Sequence, residues 1–135
     1  IMNIVHTTKI TGYCLVTGSS RGIGKAIALE WASKGVPVIA VANDMKALTS
    51  LKSEIESTYG VDCLIVNKDL LKLESPKEIY EWCIAHEKKV QVLINNVGLG
   101  ASGSFQETRT DFDLSLVQLN IFPMLQLTKL FLPML

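Results

Sequence analysis

The sequence has no excess of charge of either sign. Its 135 residues contain 13 Lys and Arg against 13 Asp and Glu, so the formal net charge at pH 7 is zero. This balance argues against the basic surface with which proteins bind nucleic acids or anionic membranes. Charged residues make up only 19% of the chain and hydrophobic residues 48%, which excludes an intrinsically disordered protein.

Cysteine is also scarce, and the spacing of the three cysteines argues against disulfide bonds and against a metal site. Cys14, Cys63 and Cys83 form no C-x-x-C pair and are odd in number, so neither a disulfide framework nor a metal site is indicated. Each lies in an apolar strand-like run or on a helix, where a free thiol behaves as a small hydrophobic side chain. We therefore expect no bound metal and a reducing compartment, most simply the cytoplasm.

A long uninterrupted hydrophobic run is missing as well, although the mean hydropathy is +0.30. The most apolar stretch, residues 114–135, contains several amides, Lys129 and the two prolines Pro123 and Pro133. A bilayer span needs about 20 predominantly apolar residues, so we predict instead a helix buried between a sheet and a partner subunit. Residues 1–12 lack the continuous apolar segment of a signal peptide, and we interpret them as a leader or as added residues.

The sequence does contain a regular alternation of short apolar runs and longer amphipathic segments. Four apolar runs are typical of buried parallel strands, namely residues 13–17, 36–41, 63–66 and 90–94. Between the first two, residues 23–34 carry apolar side chains at helical spacing and are followed by Gly35, a helix stop signal.

Three further helices are predicted from capping signals. Asp44 can cap a helix that ends at Gly60. Ser75-Pro76-Lys77-Glu78 has the pattern of a capping box with Pro at the first helical position, and Thr110 with Asp113 repeats the pattern before the terminal helix. The order of elements predicts an α/β fold, a Rossmann-like doubly wound parallel sheet with helices on both faces.

A glycine-rich turn directly follows the first predicted strand and opens the first helix. Its sequence is Thr17-Gly18-Ser19-Ser20-Arg21-Gly22-Ile23-Gly24. Such a turn points backbone N–H groups and a helix N-terminus at one place, which suits a pyrophosphate. Gly18 permits the tight turn, Gly22 lets a phosphate approach the backbone, and Gly24 lets the helix pack against the strand. A plain tight turn is the alternative, but it seldom needs three glycines, so we predict nucleotide binding.

The Gly-x-x-x-Gly-x-Gly spacing of this turn resembles the short-chain dehydrogenase/reductase family, whose signature is Thr-Gly-x-x-x-Gly-Ile-Gly. Further matches follow in the family's order, namely Asp69-Leu70, then Asn95-Asn96-Val97-Gly98, then Asn120 with Thr128 and Leu132-Pro133. Val97 replaces the Ala that is usual in the family. The resemblance covers residues 13–135, which it identifies as the dinucleotide-binding portion, the N-terminal half, of a single-domain reductase.

The resemblance implies a role for each matched residue. The cofactor would be held by Thr17, Gly18, Ser19, Ser20, Arg21, Gly22, Ile23, Gly24, Asn43, Asp69, Leu70, Asn96, Val97 and Gly98. Asn95 would tie neighbouring strands together, and Asn120 would bind the water that extends a proton relay to a catalytic Lys. Taken alone, Asp69 also fits an ordinary strand-end carboxylate, and Asn120 fits a hydrogen-bonded core amide.

The end of the second strand bears on the choice between NAD(H) and NADP(H), because the resemblance implies an acid there in NAD-dependent members. Counting about 20 residues from the last glycine leads to Asp44. Alignment on the strand itself leads to the uncharged Ala42, and Asp44 is more simply a helix cap. Arg21 is a cation placed to meet a 2′-phosphate, whereas Asn43 stands where many NADP-dependent relatives have Arg. We therefore expect NADP(H) to be favoured over NAD(H).

The family's reaction is hydride transfer between the nicotinamide C4 and the carbon of a carbonyl or alcohol substrate. In the family a Tyr acts as general acid, its pKa lowered by a nearby Lys, and a Ser orients the substrate. None of Tyr13, Tyr59 and Tyr80 has Lys four residues later, so only Asn120 of the catalytic tetrad is present. We expect the C-terminal half of the reductase to be absent from these 135 residues, which would be inactive alone.

Two functions stay open. The first is an oxidoreductase of which this chain is the cofactor-binding half, and the second is a truncated, non-catalytic nucleotide-binding or interaction protein of the same fold. A natural end at Leu135 would leave the fourth strand as an exposed edge, an aggregation hazard that favours the first. The resemblance implies a homodimer or homotetramer that pairs through residues 110–135. Asn-Asn-Val-Gly and residues 24–28 also look slightly like the branch that acts on 3-ketoacyl and steroid substrates.

Overall fold

A computed structural model describes residues 9–135. Its four strands form a parallel sheet in the spatial order β3-β2-β1-β4, with β1 at Tyr13–Thr17, β2 at Val38–Ala42, β3 at Cys63–Asn67 and β4 at Val90–Ile94. The helices are α1 at Gly22–Ser33, α2 at Met45–Tyr59, α3 at Ser75–Ala85 and α4 at Thr110–Phe131, followed by a 3₁₀ helix at Leu132–Met134. The predicted Rossmann-like α/β fold is confirmed.

Alternate strand residues supply two separate cores, one on each face of the sheet. Cys14, Val16 and Ala40 pack with α1 and α2, whose buried residues include Ala28, Ala32, Leu48, Leu51 and Ile55. Leu15, Ile39 and Val41 pack on the other face with α3 and α4, whose buried residues include Ile79, Cys83, Leu127 and Phe131. Because both faces are covered, β2 is buried at all five positions, which is why its sequence is continuously apolar rather than alternating.

Two of the predicted helix ends are confirmed in detail. The Asp44 carboxylate accepts a 3.0 Å hydrogen bond from the N–H of Ala47 and so caps α2. Gly60 ends α2 with φ of +65°, a left-handed conformation that glycine adopts without steric cost. Strand β2 begins at Val38 rather than Val36; the intervening Pro37 has no N–H with which to continue the ladder.

The two predicted capping signals at Ser75 and Thr110 are wrong. Both residues are the first of their helix, and the preceding Glu74 and Arg109 make no side-chain cap. The Ser75 hydroxyl instead donates to the carbonyl oxygen of Asp69 at 2.7 Å, and it is Thr108 that bonds the Asp113 carboxylate, at 2.9 Å. The Ser75 hydroxyl thus stabilises the loop that precedes α3, and Thr108 takes the contact with Asp113 that was predicted for Thr110.

Pro123 interrupts the apolar run in the sequence but does not break the terminal helix. It lies inside α4 in a buried row with Leu119, Leu127 and Phe131, spaced four residues apart. A proline in a helix interior costs about 3 kcal/mol or more, so packing of this row outweighs the local penalty. Among residues 9–135, no helix has both the length and the hydropathy needed to cross a bilayer.

The segment that precedes β1 contacts the sheet where the structure describes it. The N–H groups of Thr11 and Gly12 both donate to the side-chain oxygen of Gln91 on β4, at 2.7 and 2.5 Å. Ile10 packs against the core beneath α1 and α2. Of the interpreted leader, residues 1–8 lie outside the described part of the chain, and residues 10–12 belong to the packed fold.

The three cysteines are buried free thiols, as the sequence predicted. Cys14 and Cys63 lie in the core under α1 and α2, and Cys83 is on the buried side of α3 in the core on the other face of the sheet. Burial raises the pKa of Cys14 and Cys63 to about 12 and that of Cys83 to about 11, because the thiolate would lose its hydration. The thiols are therefore protonated and packed rather than reactive.

Candidate functional site

A cavity of about 460 Å³ opens at the carboxyl ends of the strands. It is lined by the loops that follow all four strands and by Leu119 of α4. The chain crosses from one side of β1 to the other between β3 and β4, since β4 lies on the opposite side of β1 from β2. Ligands of doubly wound sheets bind in the crevice at such a switch point.

The glycine turn forms the floor of this cavity. Gly18 and Gly22 have φ of +65° and +56°, conformations that other residues rarely adopt. A Cβ on Gly24 would lie 2.2 Å from the carbonyl oxygen of Gly18, so only glycine lets α1 begin this close to the turn. A Cβ on Gly22 would meet nothing within 4 Å, because Gly22 faces open space. This geometry agrees with the roles predicted for Gly18 in the tight turn and for Gly24 in close packing of the helix, and the approach of a phosphate at Gly22 stays a prediction.

The N-terminus of α1, where the helix dipole is positive, has neither a side-chain cap nor an acidic residue beside it. Arg21 occupies the capping position with no side-chain cap, and the first turn contains no acidic residue. The first N–H groups of a helix have no intrahelical acceptor, and the helix dipole adds positive potential there. Arg21 itself is exposed and lines the cavity, so the turn and its one cation present a site for an anion.

Thr17 ties the glycine turn to the loop after β4. Its hydroxyl oxygen accepts from the N–H groups of Asn96 and Val97 at 3.0 and 3.1 Å. The Asn96 side-chain amide in turn donates to the carbonyl oxygens of Thr17 and Gly18 at 3.0 and 3.3 Å. The expectation that Asn95 joins neighbouring strands is wrong, because the Asn95 amide donates to Thr128 on α4 at 3.1 Å. The neighbouring residue Asn96 joins β1 to β4.

The loop after β3 is fixed on both sides of Asp69. The Asp69 carboxylate accepts from the N–H of Leu71 at 3.0 Å, and the buried Ser75 holds the Asp69 carbonyl as described above. The side-chain amide of Gln118 on α4 donates to the carbonyl oxygen of Leu71. Asp69 and Leu70 thus line the cavity from a loop that α3 and α4 hold in place.

Asn120 lies two residues beyond Gln118 on α4 and holds the opposite wall of the cavity. Its amide nitrogen donates to the carbonyl oxygen of Leu99 at 2.8 Å, and its oxygen accepts from the N–H of Leu99 at 2.9 Å. A Cβ on Gly98 would lie 2.9 Å from that same oxygen, so glycine is needed beside it. An amide has two donors and two lone pairs, which leaves Asn120 one of each for a water molecule.

Twelve of the fourteen predicted cofactor-binding residues line the cavity, and Thr17 and Ser19 do not. Both are fully buried; Thr17 makes the contacts given above, and the Ser19 hydroxyl donates to the carbonyl oxygen of Val41 at 3.3 Å. They support the turn instead of facing a ligand. Five further residues line the cavity that the predicted cofactor-binding set did not include, and each adjoins a motif residue in the chain: Ala42, Lys68, Leu71, Leu99 and Leu119. In the described part of the chain, no three His, Cys, Asp or Glu residues cluster as metal ligands would.

The chain is similar to known proteins over nearly its whole length. It is 39% identical over 126 residues to an uncharacterised short-chain type dehydrogenase/reductase of Sinorhizobium fredii, covering 93% of this chain and 46% of that protein. It is 37% identical over 126 residues to the very-long-chain 3-oxoacyl-CoA reductase of Eremothecium gossypii, covering 90% of this chain and 35% of that protein. The chain thus spans less than half the length of these relatives.

A solved structure shows the same fold with a nicotinamide nucleotide bound. The alcohol dehydrogenase of the archaeon Thermococcus sibiricus, complexed with 5-hydroxy-NADP, superimposes with a TM-score of 0.86 at 27% identity. The superposition covers 91% of this chain and 52% of that structure. The family model for short chain dehydrogenases matches residues 13–135, and this chain is therefore a member of that family.

Proposed function

We propose that this protein is an NAD(P)-dependent oxidoreductase that acts on a carbonyl or alcohol substrate. The uncapped, acid-free N-terminus of α1 at the floor of the switch-point cavity is the observation that carries the proposal. When bound there, the nicotinamide nucleotide would accept or donate the hydride. The residues fit such a group, since Gly22 leaves open space where a pyrophosphate would approach the backbone.

The chain's own residues would bind and orient the cofactor along the cavity. The lining residues Gly18, Ser20, Arg21, Gly22, Ile23 and Gly24 would form the phosphate side, and Ile23, which is 74% exposed, would cover the bound nucleotide. The lining residues Asn43, Asp69 and Leu70 would form the adenosine side. The family relationship supports a role for Asp69 in holding the adenine. Asn96, Val97 and Gly98 line the remaining wall, while Thr17 and Ser19 act through the turn that they support.

We propose NADP(H) as the preferred cofactor. Strand β2 ends at the uncharged Ala42, so no carboxylate at that position would repel a 2′-phosphate. Arg21 lines the same cavity, is exposed and supplies a positive charge. The carboxylate of Asp44 is engaged as the cap of α2. The NADP derivative bound to the structural relative from Thermococcus sibiricus supports the same choice.

The chemical step would need groups beyond those that residues 1–135 supply. We propose that Asn120 holds a relay water through its free donor and lone pair, while its other two groups keep Leu99 in place. The family's Ser and Tyr-x-x-x-Lys have no counterpart in the chain. Residues 1–135 alone are therefore expected to bind cofactor without turnover, and the very-long-chain 3-oxoacyl-CoA reductase relative makes 3-oxoacyl thioesters the first substrates to assay.

We further propose that α4 pairs with a second copy of the chain to form a homodimer or homotetramer. Residues 114–128 contain no charged side chain, and Leu114, Val117, Ile121 and Leu125 are all about half exposed or more. The cores of protein interfaces are depleted of charge in this way. Three protonated, buried thiols are consistent with a reducing compartment, and we propose the cytoplasm.

Calorimetric titration of the purified protein with NADP+ and NAD+ tests the cofactor proposal. We expect binding of both with NADP+ tighter, and loss of binding in Gly24→Ala, since the new Cβ would collide with the Gly18 carbonyl. Gly100→Ala is the matched control because its Cβ would meet nothing within 4 Å. Failure of the unmodified protein to bind either dinucleotide would contradict the proposal. Binding without carbonyl reduction by the protein as produced from its gene would favour the non-catalytic alternative.

A further inference from the structure

Lys68 is a cation at the adenosine end of the cavity that the family motifs do not include. It follows the last residue of β3 and precedes Asp69. Its backbone N–H donates to the carbonyl oxygen of Ala42 at 2.9 Å, which places Lys68 directly beside the end of β2. Lys68 also lines the cavity together with Arg21 and Asn43. Lys68 is therefore adjacent to Ala42, the position that the family relationship associates with the choice between NAD(H) and NADP(H).

The ammonium group of Lys68 forms an ion pair that is partly exposed and therefore weak. Its Nζ lies 2.6 Å from a carboxylate oxygen of Glu78 on α3, with the two side chains 35% and 44% exposed. A pair this exposed contributes about 0–1 kcal/mol to stability, because water screens both charges. A phosphate monoester carries up to two negative charges and offers three acceptor oxygens, so it can compete for Lys68 with a single carboxylate.

The charges around the cavity favour that competition. Its charged lining residues are Arg21, Lys68 and Asp69, and one oxygen of the Asp69 carboxylate is already engaged by the N–H of Leu71. Asn43 is neutral, so the loop after β2 supplies no cation of its own. A phosphate beside Ala42 would lie between two cations that come from different loops, one after β1 and the other after β3.

Resting on the proposed function, we propose that Lys68 is the second cation that recognises the adenosine 2′-phosphate of NADP(H), in place of the basic residue that Asn43 does not provide. Glu78 holds Lys68 near the cavity when no phosphate is bound and shares it when one is. Lys68 is thus a specificity-determining residue, and it should affect NADP(H) and not NAD(H).

The test compares the dissociation constants of NADP+ and NAD+ in Lys68→Gln by calorimetric titration of the protein as produced from its gene. We expect the constant for NADP+ to rise about tenfold, as befits loss of one charge-assisted hydrogen bond, and that for NAD+ to stay within about twofold of the unmodified protein. Lys68→Arg retains the charge and should restore most of the NADP+ affinity. Glu78→Gln frees Lys68 and should tighten NADP+ binding.

Lys77→Gln is the matched control, since Lys77 pairs with Glu81 on the exposed side of α3 and does not line the cavity. It should leave both constants unchanged. An equal loss of NADP+ and NAD+ binding in folded Lys68→Gln would overturn the proposal, because it would mean that the loop after β3 had been disturbed. Unchanged binding of both would overturn it too. If the unmodified protein bound neither dinucleotide, the proposed function would fail first, which is a different result from either of these.

Discussion

The two faces of the sheet are covered by helices of different character. On one face, α2 buries Leu48, Leu51 and Ile55 and turns charged residues outward, with ion pairs such as Lys25–Glu54 and Lys52–Glu56. On the other face, α4 buries one row of side chains and exposes a second apolar surface, whereas its charged residues lie near its two ends. The outer surface of α2 is charged, whereas the outer surface of α4 is apolar.

The difference follows from how much of the surface of each helix is apolar. An amphipathic helix needs one apolar stripe, and α2 has one. A helix that is apolar on most sides is typical of a position buried between two layers, and a contiguous exposed apolar patch marks an interaction surface. The sheet that positions the cavity thus has one face covered by helices that turn charged side chains to water, and one face where, as we propose, α4 serves assembly.

The largest expected effect concerns the inward side of α4. Phe131 is fully buried and packs edge to face on Tyr80, with ring centroids 5.2 Å apart. Phe131→Ala should lower the free energy of unfolding by about 3–5 kcal/mol, because a large side chain leaves a cavity behind. Urea unfolding measures this change. Phe105→Ala, at a site that is 82% exposed, should change it by less than about 0.5 kcal/mol; equal losses would show that α4 is not packed as described.

The next effect is a loss of stability in alkali that involves both faces. Burial raises the pKa of Cys14 and Cys63 to about 12 and that of Cys83 to about 11, from the ordinary thiol value of 9.0. The unfolded chain therefore releases these protons first, so the contribution is fully present below pH 9 and is lost as the pH rises toward 11 or 12. In that pH window, each thiol should lower the free energy of unfolding by about 1.4 kcal/mol per pH unit.

Urea unfolding at several pH values between 9 and 11 checks this dependence. Cys14→Ala should make the decline less steep by removing a thiol under α1 and α2, and Cys83→Ala should do the same on the other face. A decline that is as steep in both variants as in the original protein would assign the alkaline effect to other groups, such as Tyr13, whose pKa is raised to about 12 by burial and by its hydrogen bond to Asp62.

A smaller effect is expected on the outward side of α4. Ile121 is 49% exposed, and Ile121→Asp would place a charge in the proposed contact with a second copy. We expect association to weaken by about 2–4 kcal/mol, seen as a halving of the mass in light scattering, with the subunit still folded. Ser53→Asp on exposed α2 is the control and should leave the mass unchanged. A monomeric unmodified protein would show that a second copy does not cover α4.

The smallest expected effect is a difference in unfolding free energy between variants at the N-termini of α2 and α4. Asp44→Ala removes the cap that accepts from Ala47 and should cost about 1 kcal/mol of unfolding free energy. Thr110→Ala at the start of α4 should cost less than about 0.5 kcal/mol, because Thr110 lies inside the helix and does not cap it. Urea midpoints of the two variants give the comparison. Equal losses of unfolding free energy in the two variants would show that Thr110 does cap α4.

Much of the site could be predicted because its motifs are local. The turn from Thr17 to Gly24 specifies its own conformation, since two of its glycines have positive φ and Gly24 must contact the Gly18 carbonyl closely. Asp44 and Gly60 likewise act on the helix next to them in the chain. Ser75 and Thr110 were predicted wrongly, because a capping pattern cannot show where the helix starts or whether a hydroxyl such as that of Ser75 has a better partner in the preceding loop.

The amino-acid sequence by itself determined the alternation of buried strands and helices, the glycine turn and the family. Tertiary structure decided which motif residues face the cavity. Thr17 lies about 80 residues from Asn96 and Val97 in the chain yet bonds both, which turns it from a ligand-binding residue into a support. Folding also brought Lys68 beside Ala42 and exposed one side of α4. A local pattern fixes backbone conformation, whereas the partner of a polar side chain depends on which distant strands and helices become its neighbours.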